Sequence, residues 1–231
     1  QLCRFLNNMG AVICGMGTDH LMVQGVAGLH DSSFRVEGDR IVAGTYGAAA
    51  VAAGGEVLLR GICPSDLKVP LEEFQKAGAA VDADEENCQI RICMRKRPLP
   101  LLIKTEPYPG FPTDLQSPFM AFLATALGTS YIEEQVFEGR FATAKILEQM
   151  GAVIRTENQR AVIEGHYPLK GAAVNACDLR GGAALMVAAL AAEGDTFIGE
   201  CHHIERGYED ICRDMAALGA HIRWVENDFT R

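Results

Sequence analysis

The chain has 231 residues, of which 48% are apolar and 22% charged, with a formal net charge of −9. This balance excludes intrinsic disorder and predicts a soluble, globular chain with material for one large or two modest cores. It also argues against partners that need a broad basic face, nucleic acid or an anionic membrane, although a local cluster of arginines can still bind an anion. The longest small-apolar run, 181–192, ends at Glu193, well short of the ~20 residues that cross a bilayer. The eight cysteines include no CxxC pair and read as unpaired thiols of a reducing cytoplasm. The opening QLCRFLNNMG carries neither an initiator methionine nor a signal-peptide pattern, so the chain is expected to be cut from something longer.

In chain order, the first 34 residues resemble the tail of a unit that recurs further on. The phrase NMGAVI (8–13) returns as KAGAAV (76–81), QMGAVI (149–154) and ALGAHI (217–222), with glycines at 10, 78, 151 and 219. Intervals of 68, 73 and 68 residues indicate repeated supersecondary units. The last three phrases follow amphipathic patterns, 71–77, 141–150 and 208–218, and all four precede alternating apolar residues. Each glycine is therefore predicted to end a helix and feed a strand. Between the phrases lie segments apolar on every side, 41–53, 119–127 and 183–192, which must be helices buried all round. Each is followed by a glycine (54, 128, 194) and a strand pattern such as EVLLRGI or TSYIEEQVF. Strand, buried helix, strand, amphipathic helix and a strand pair form a unit, and three such units fit between Arg35 and Ile222. The prediction is an α/β domain with sheets wrapped around Ala-rich helices.

Charged residues gather where helices are predicted to start: Asp39 and Arg40, Thr113 and Asp114, Asp178 and Arg180, with Arg140 and Arg206 opening two amphipathic helices. Helix N-termini carry free N–H groups and partial positive charge, and the planar fork of arginine suits phosphate and carboxylate. A cleft for a small, multiply charged anion is the reading these residues support. PYPGFPTDLQ (107–116) adds a stiff arm, because proline fixes its own φ and restricts the residue before it. Asp114 at its end is either a helix cap, with Thr113 and Gln116 forming a capping box, or a group held for chemistry. Single arginines beside helices are more often surface ion-pair members, and only their recurrence favours a site. His202 and His203, near Cys201 and Cys212, are assigned to a strand, where adjacent side chains face opposite ways, so no metal is expected.

The motifs FLNNMGAVICGMGTD, DRIVAGTY, PYPGFPTDLQ, VFEGRF, DLRGGAAL and HIERGYE, in this order, resemble the C-terminal half of UDP-N-acetylglucosamine enolpyruvyl transferases, the 1-carboxyvinyltransferases that start peptidoglycan synthesis in the cytoplasm. The resemblance covers nearly the whole chain. It implies an inside-out α/β barrel of the EPSP synthase type built from βαβαββ units, with residues 1–38 as the tail of the N-terminal-half domain and 39–231 as the domain that bears the catalytic base. By position it implies that Asp114 accepts the proton of the sugar 3-hydroxyl as that oxygen attacks phosphoenolpyruvate. It places Val136 against the UDP-sugar, Arg180 and Arg206 around the phosphoenolpyruvate anion, and Arg140 along the cleft. Neither metal nor organic cofactor is implied.

The family's mobile loop, with a cysteine in a Pro-Gly-Gly-Cys setting, has no counterpart here, so the chain alone is expected to be inactive and to need the missing N-terminal half. Ala142 and Thr143 stand where the family usually has Met-His, Gly181 and Gly182 where it has Ala-Ser, and Pro70 and Pro118 fall in predicted helices. A non-catalytic binding or scaffolding half-protein, or another enolpyruvyl transferase of the same fold, are the competing readings.

Overall fold

The computed structural model describes residues 1–225; the last six, 226–231, at the end of the expected second domain, lie outside the described residues. The chain divides into two compact units, Gln1–Gly38 and Asp39–Arg231. In the first, helix α1 (Leu2–Asn8) leads through Gly10 into an antiparallel pair, β1 (Val12–Cys14) and β2 (Met22–Gln24). The Asn7 amide ties the helix end to the strand, donating to the Ile13 carbonyl at 2.8 Å and accepting from its N–H at 2.9 Å. Ile13 alone among this unit's hydrophobic residues is buried, while Leu21, Met22, Val23, Val26, Leu29 and Val36 are exposed.

The second unit runs α2 (Arg40–Ala53), β3 (Glu56–Arg60), a 3₁₀ turn Pro64–Leu67, α3 (Lys68–Lys76), β4 (Ala80–Asp84) and β5 (Gln89–Cys93). It continues with β6 (Leu102–Lys104), a 3₁₀ turn Thr113–Leu115, α4 (Gln116–Leu123), β7 (Thr129–Glu133), α5 (Ala142–Gln149), β8 (Val153–Glu157) and β9 (Arg160–Glu164). Last come β10 (Leu169–Lys170), β11 (Ala173–Asn175), α6 (Leu179–Ala189), β12 (Ala192–Glu193), β13 (Phe197–Gly199), α7 (His202–Glu205) and α8 (Ile211–Ala217). Gly10, Gly78, Gly151 and Gly219, one per repeated phrase, have φ of 96°, 97°, 85° and 101°, the region where a side chain is disfavoured and glycine ends a helix at least cost.

Among the described residues, only the middle repeat forms the full βαβαββ unit, with its strands in one sheet of order β6-β7-β9-β8. The first lacks an opening strand and forms an antiparallel sheet of order β3-β5-β4. The third is drawn into two short parallel pairs, β10 with β12 and β11 with β13. After Gly219 no further strand forms among the described residues. The expectation of three like units therefore holds for the helices better than for the strands.

Helices α2, α4 and α6 pack on one another, and Phe119, Phe122, Ala183 and Leu185 are fully buried, as segments apolar on every side require. Close approach depends on missing side chains: a Cβ on Gly44 would lie 2.5 Å from Leu115 Cδ1, and one on Gly47 would lie 2.8 Å from Ile92 Cδ1. Phe119 is the hub, with its ring centroid 4.6 Å from Phe74, 4.8 Å from Phe122 and 4.8 Å from Phe111. Phe119→Ala is expected to lower stability by about 3–5 kcal/mol, read as a lower urea midpoint with unchanged slope.

Both unexpected prolines have one explanation. Pro70 and Pro118 occupy the third positions of α3 and α4, each helix following directly on a 3₁₀ turn. Backbone N–H groups in a first helical turn have no intrahelical partner, so proline costs no hydrogen bond there.

Candidate active site

The arm 107–116 is pinned on both sides of Asp114. Upstream, Phe111 is 2% exposed and stacks edge-on against Phe119, while its carbonyl accepts from the Glu106 N–H at 3.0 Å. Downstream, Leu115 is fully buried against Gly44. Between these two anchors a backbone already narrowed by proline has little freedom left.

Asp114 is not a cap. Neither the turn Thr113–Leu115 nor α4 receives a side-chain cap hydrogen bond, so the capping-box alternative is set aside. Asp39, Asp178 and Asp210 do cap: they accept from Ile41 N at 2.7 Å, Gly181 N at 2.7 Å and Arg213 N at 2.9 Å. Asp114 instead meets two guanidiniums, Arg140 Nη2 on Oδ1 at 2.6 Å and Arg180 Nη2 on Oδ2 at 3.0 Å. The side chains of Arg140 and Arg180 are 20% and 15% exposed, and that of Asp114 is 36%. Partial burial pushes the Asp114 carboxyl up, but the charges and hydrogen bonds of Arg180 and Arg140 outweigh it and hold the group below the ordinary carboxylate range. Asp114 is therefore ionised at neutral pH.

The other arginine contacts follow from the elements that carry them. Arg180 sits in the first turn of α6 behind the Asp178 cap and lies beside the Tyr208 hydroxyl, which also meets Thr45 Oγ1 at 2.9 Å. Its second terminal nitrogen, Nη1, is buried without a hydrogen-bond partner. A buried guanidinium N–H without a hydrogen-bond partner is rare, and an acceptor supplied by a ligand is one way to satisfy it. Arg140 precedes α5 by two residues and lies 5.1 Å from the centre of the Phe137 ring.

Two readings need correction. Arg206 does not open an amphipathic helix: it follows the short α7, is exposed, and α8 begins only after Asp210. It is nonetheless one residue from Gly207, which packs against the Leu179 side chain at the start of α6. His202 and His203 are helical, not extended, with ring centroids 4.1 Å apart, so the opposite-faces argument does not apply. The Cys63 and Cys88 sulfurs approach to 2.8 Å.

Gly181 and Thr143, each near one of these arginines in the chain, lie close together. A Cβ on Gly181 would lie 2.7 Å from Cys177 Sγ and 2.9 Å from Thr143 Oγ1. Glu134, which no motif singles out, is fully buried and links the arm to the segment holding Val136. No local sequence signal marks it, because the turn in which an acidic side chain accepts from the backbone two residues on is a property of aspartate and asparagine. Val136 itself is exposed, as is Phe137.

Helices gathered inside and sheets around them form the inside-out α/β arrangement, and the comparisons agree. The family description for EPSP synthase (3-phosphoshikimate 1-carboxyvinyltransferase) matches residues 1–215. The chain belongs to the EPSP synthase family. Within this family, the chain is 46% identical over 98% of its length to UDP-N-acetylglucosamine 1-carboxyvinyltransferase 2 of Carboxydothermus hydrogenoformans, covering 54% of that relative. A UDP-N-acetylglucosamine 1-carboxyvinyltransferase of Desulfofundulus thermocisternus is 45% identical over 96% of the chain, which covers 91% of it. Among solved structures, the enolpyruvyl transferase NikO from Streptomyces tendae superposes with a TM-score of 0.82 at 28% identity, over 94% of this EPSP-synthase-family chain and 52% of NikO. The EPSP synthase of Acinetobacter baumannii shares the fold, with a TM-score of 0.73 at 18% identity. The chain spans about half the length of several of the curated relatives it matches.

Proposed function

We propose that this chain is the C-terminal, base-bearing half of a cytoplasmic UDP-N-acetylglucosamine 1-carboxyvinyltransferase, which moves the enolpyruvyl group of phosphoenolpyruvate to the 3-hydroxyl of the sugar and releases phosphate, at the entry to peptidoglycan synthesis. The observation that carries it is Asp114 held between Arg140 and Arg180, with one buried Arg180 N–H still unpartnered. Asp39 onward is the domain carrying this group, and residues 1–38 are the tail of the domain completed by the N-terminal half. The exposed apolar side chains of the first unit, from Leu21 to Val36, are the kind of surface that such a completion would cover.

In this reading Arg180 and Arg140 receive the phosphoenolpyruvate anion, Arg206 adds positive charge from the loop beside α6, and Val136 lies against the UDP-sugar. The anion and Asp114 then compete for the same two guanidiniums. As phosphoenolpyruvate takes up their donors and water is excluded, the forces holding the carboxylate ionised weaken and its basicity rises. Asp114 then accepts the 3-hydroxyl proton as that oxygen attacks. The rest of the site, including a group that protonates the methylene carbon, comes from the other half.

The test is phosphate release. The full-length protein is expected to release phosphate from phosphoenolpyruvate only when UDP-N-acetylglucosamine is present, and the 231-residue chain alone is expected to release none. A full-length protein silent with both substrates overturns the proposal, and turnover by the chain alone refutes the division of labour. Thermal stabilisation of the full-length protein by UDP-N-acetylglucosamine checks the sugar acceptor directly.

A further inference from the structure

Glu134 has an unusual position for a carboxylate: it is 0% exposed, and four donors converge on it. Oε1 accepts from the Thr105 hydroxyl at 2.8 Å, the Val136 N–H at 2.9 Å and the Phe137 N–H at 3.0 Å. Oε2 accepts from the Thr113 hydroxyl at 2.9 Å. The two oxygens serve different segments. One holds the turn that follows β7 and carries Val136 and Phe137; the other holds the residue immediately before Asp114. Thr105 completes the brace, since its hydroxyl oxygen also accepts from Gln135 N at 2.8 Å and its own N–H donates to Glu133 O at 2.9 Å.

We infer that Glu134 is a positioning residue that locks the Asp114 arm to the Val136–Phe137 turn, setting the distance between the base and the sugar it deprotonates. This rests on the function proposed above and extends it. Burying a carboxylate is costly unless its oxygens are hydrogen-bonded. Here every observed partner comes from a segment on either side of the site, so the satisfied group is also a rigid joint. Phe137, fixed through its N–H, presents the ring under which Arg140 lies, 5.1 Å away. The same carboxylate thus acts on Asp114 from two directions, through Thr113 and through the arginine that pairs with it.

The sharpest test cuts the link at Thr113, since removing Glu134 would strand four donors and threaten the fold. In the full-length transferase, Thr113→Val keeps the shape and removes the hydroxyl. Its kcat should fall about 10–100-fold, the penalty of an ångström-scale misplacement of a base, with KM for phosphoenolpyruvate unchanged and thermal unfolding still cooperative. Thr113→Ser should restore kcat. If Thr113→Val does not fold, Thr113→Ala breaks the same link and should show the same loss of kcat. Wild-type kcat in the variant lacking the hydroxyl, or failure of serine to rescue, overturns the inference alone. An unmodified protein inactive with both substrates overturns it together with the proposed function.

Discussion

Asp114→Asn in the full-length protein is expected to reduce kcat by about 10²–10⁴-fold, the usual contribution of a positioned general base, while far-UV circular dichroism stays that of the parent. The amide keeps the shape of the carboxylate and can still accept from one guanidinium, but it cannot take up a proton. Retained turnover would reduce Asp114 to an ion-pair member with no part in chemistry. Stability offers a second readout with a definite sign. Because Arg180 and Arg140 lower the folded-state value below the ordinary 3.8, the ionised carboxylate stabilises the fold above about pH 4, and this contribution is lost as pH falls through the lower folded value. Wild type is therefore expected to exceed the asparagine variant in stability at pH 7, and the gap should close in acid. Urea titrations at pH 7, 4 and 2.5 check this, and a gap that widens on acidification would contradict the assignment.

The second large effect is expected at Arg180. Arg180→Ala should lower kcat/KM for phosphoenolpyruvate by about 10²–10³-fold, as expected for deleting one partner of a buried charged contact. Arg180→Lys should recover little of it. A lysine carries the charge as a point, whereas the arginine fork meets Asp114 with one nitrogen and leaves another, buried and unpartnered, for the ligand; no ammonium reproduces that separation. Full rescue by lysine would mean that only charge matters at this position. If neither variant changes the phosphoenolpyruvate parameters, the anion lies elsewhere.

Much of this architecture is legible in one dimension because its causes are local. A helix apolar on every face has to be buried wherever it lies, and 41–53, 119–127 and 183–192 are matched within a few residues by α2, α4 and α6. The glycine of each repeated phrase adopts positive φ because a helix ends there, a requirement set by the adjoining residues. The caps at Asp39 and Asp178 are equally local, spanning two or three residues. Strands are less legible. A strand is completed by its neighbour, and among the described residues the third repeat, patterned like the others, forms only short parallel pairs.

The fate of Asp114 lay beyond local reading. Its sequence context fits a capping box, yet the partners that decide its state lie 26 and 66 residues downstream, and only packing of α6 and of the segment before α5 around the arm brings them to it. Glu134 is the clearer case: its donors come from residues 105, 113, 136 and 137, and before folding nothing marks it out from Glu133 beside it in the chain. Periodicity and turn chemistry determine which elements form, because they act over a few residues; which charges and hydrogen bonds meet is decided by tertiary structure, because burial and desolvation exist only once distant segments have closed around them.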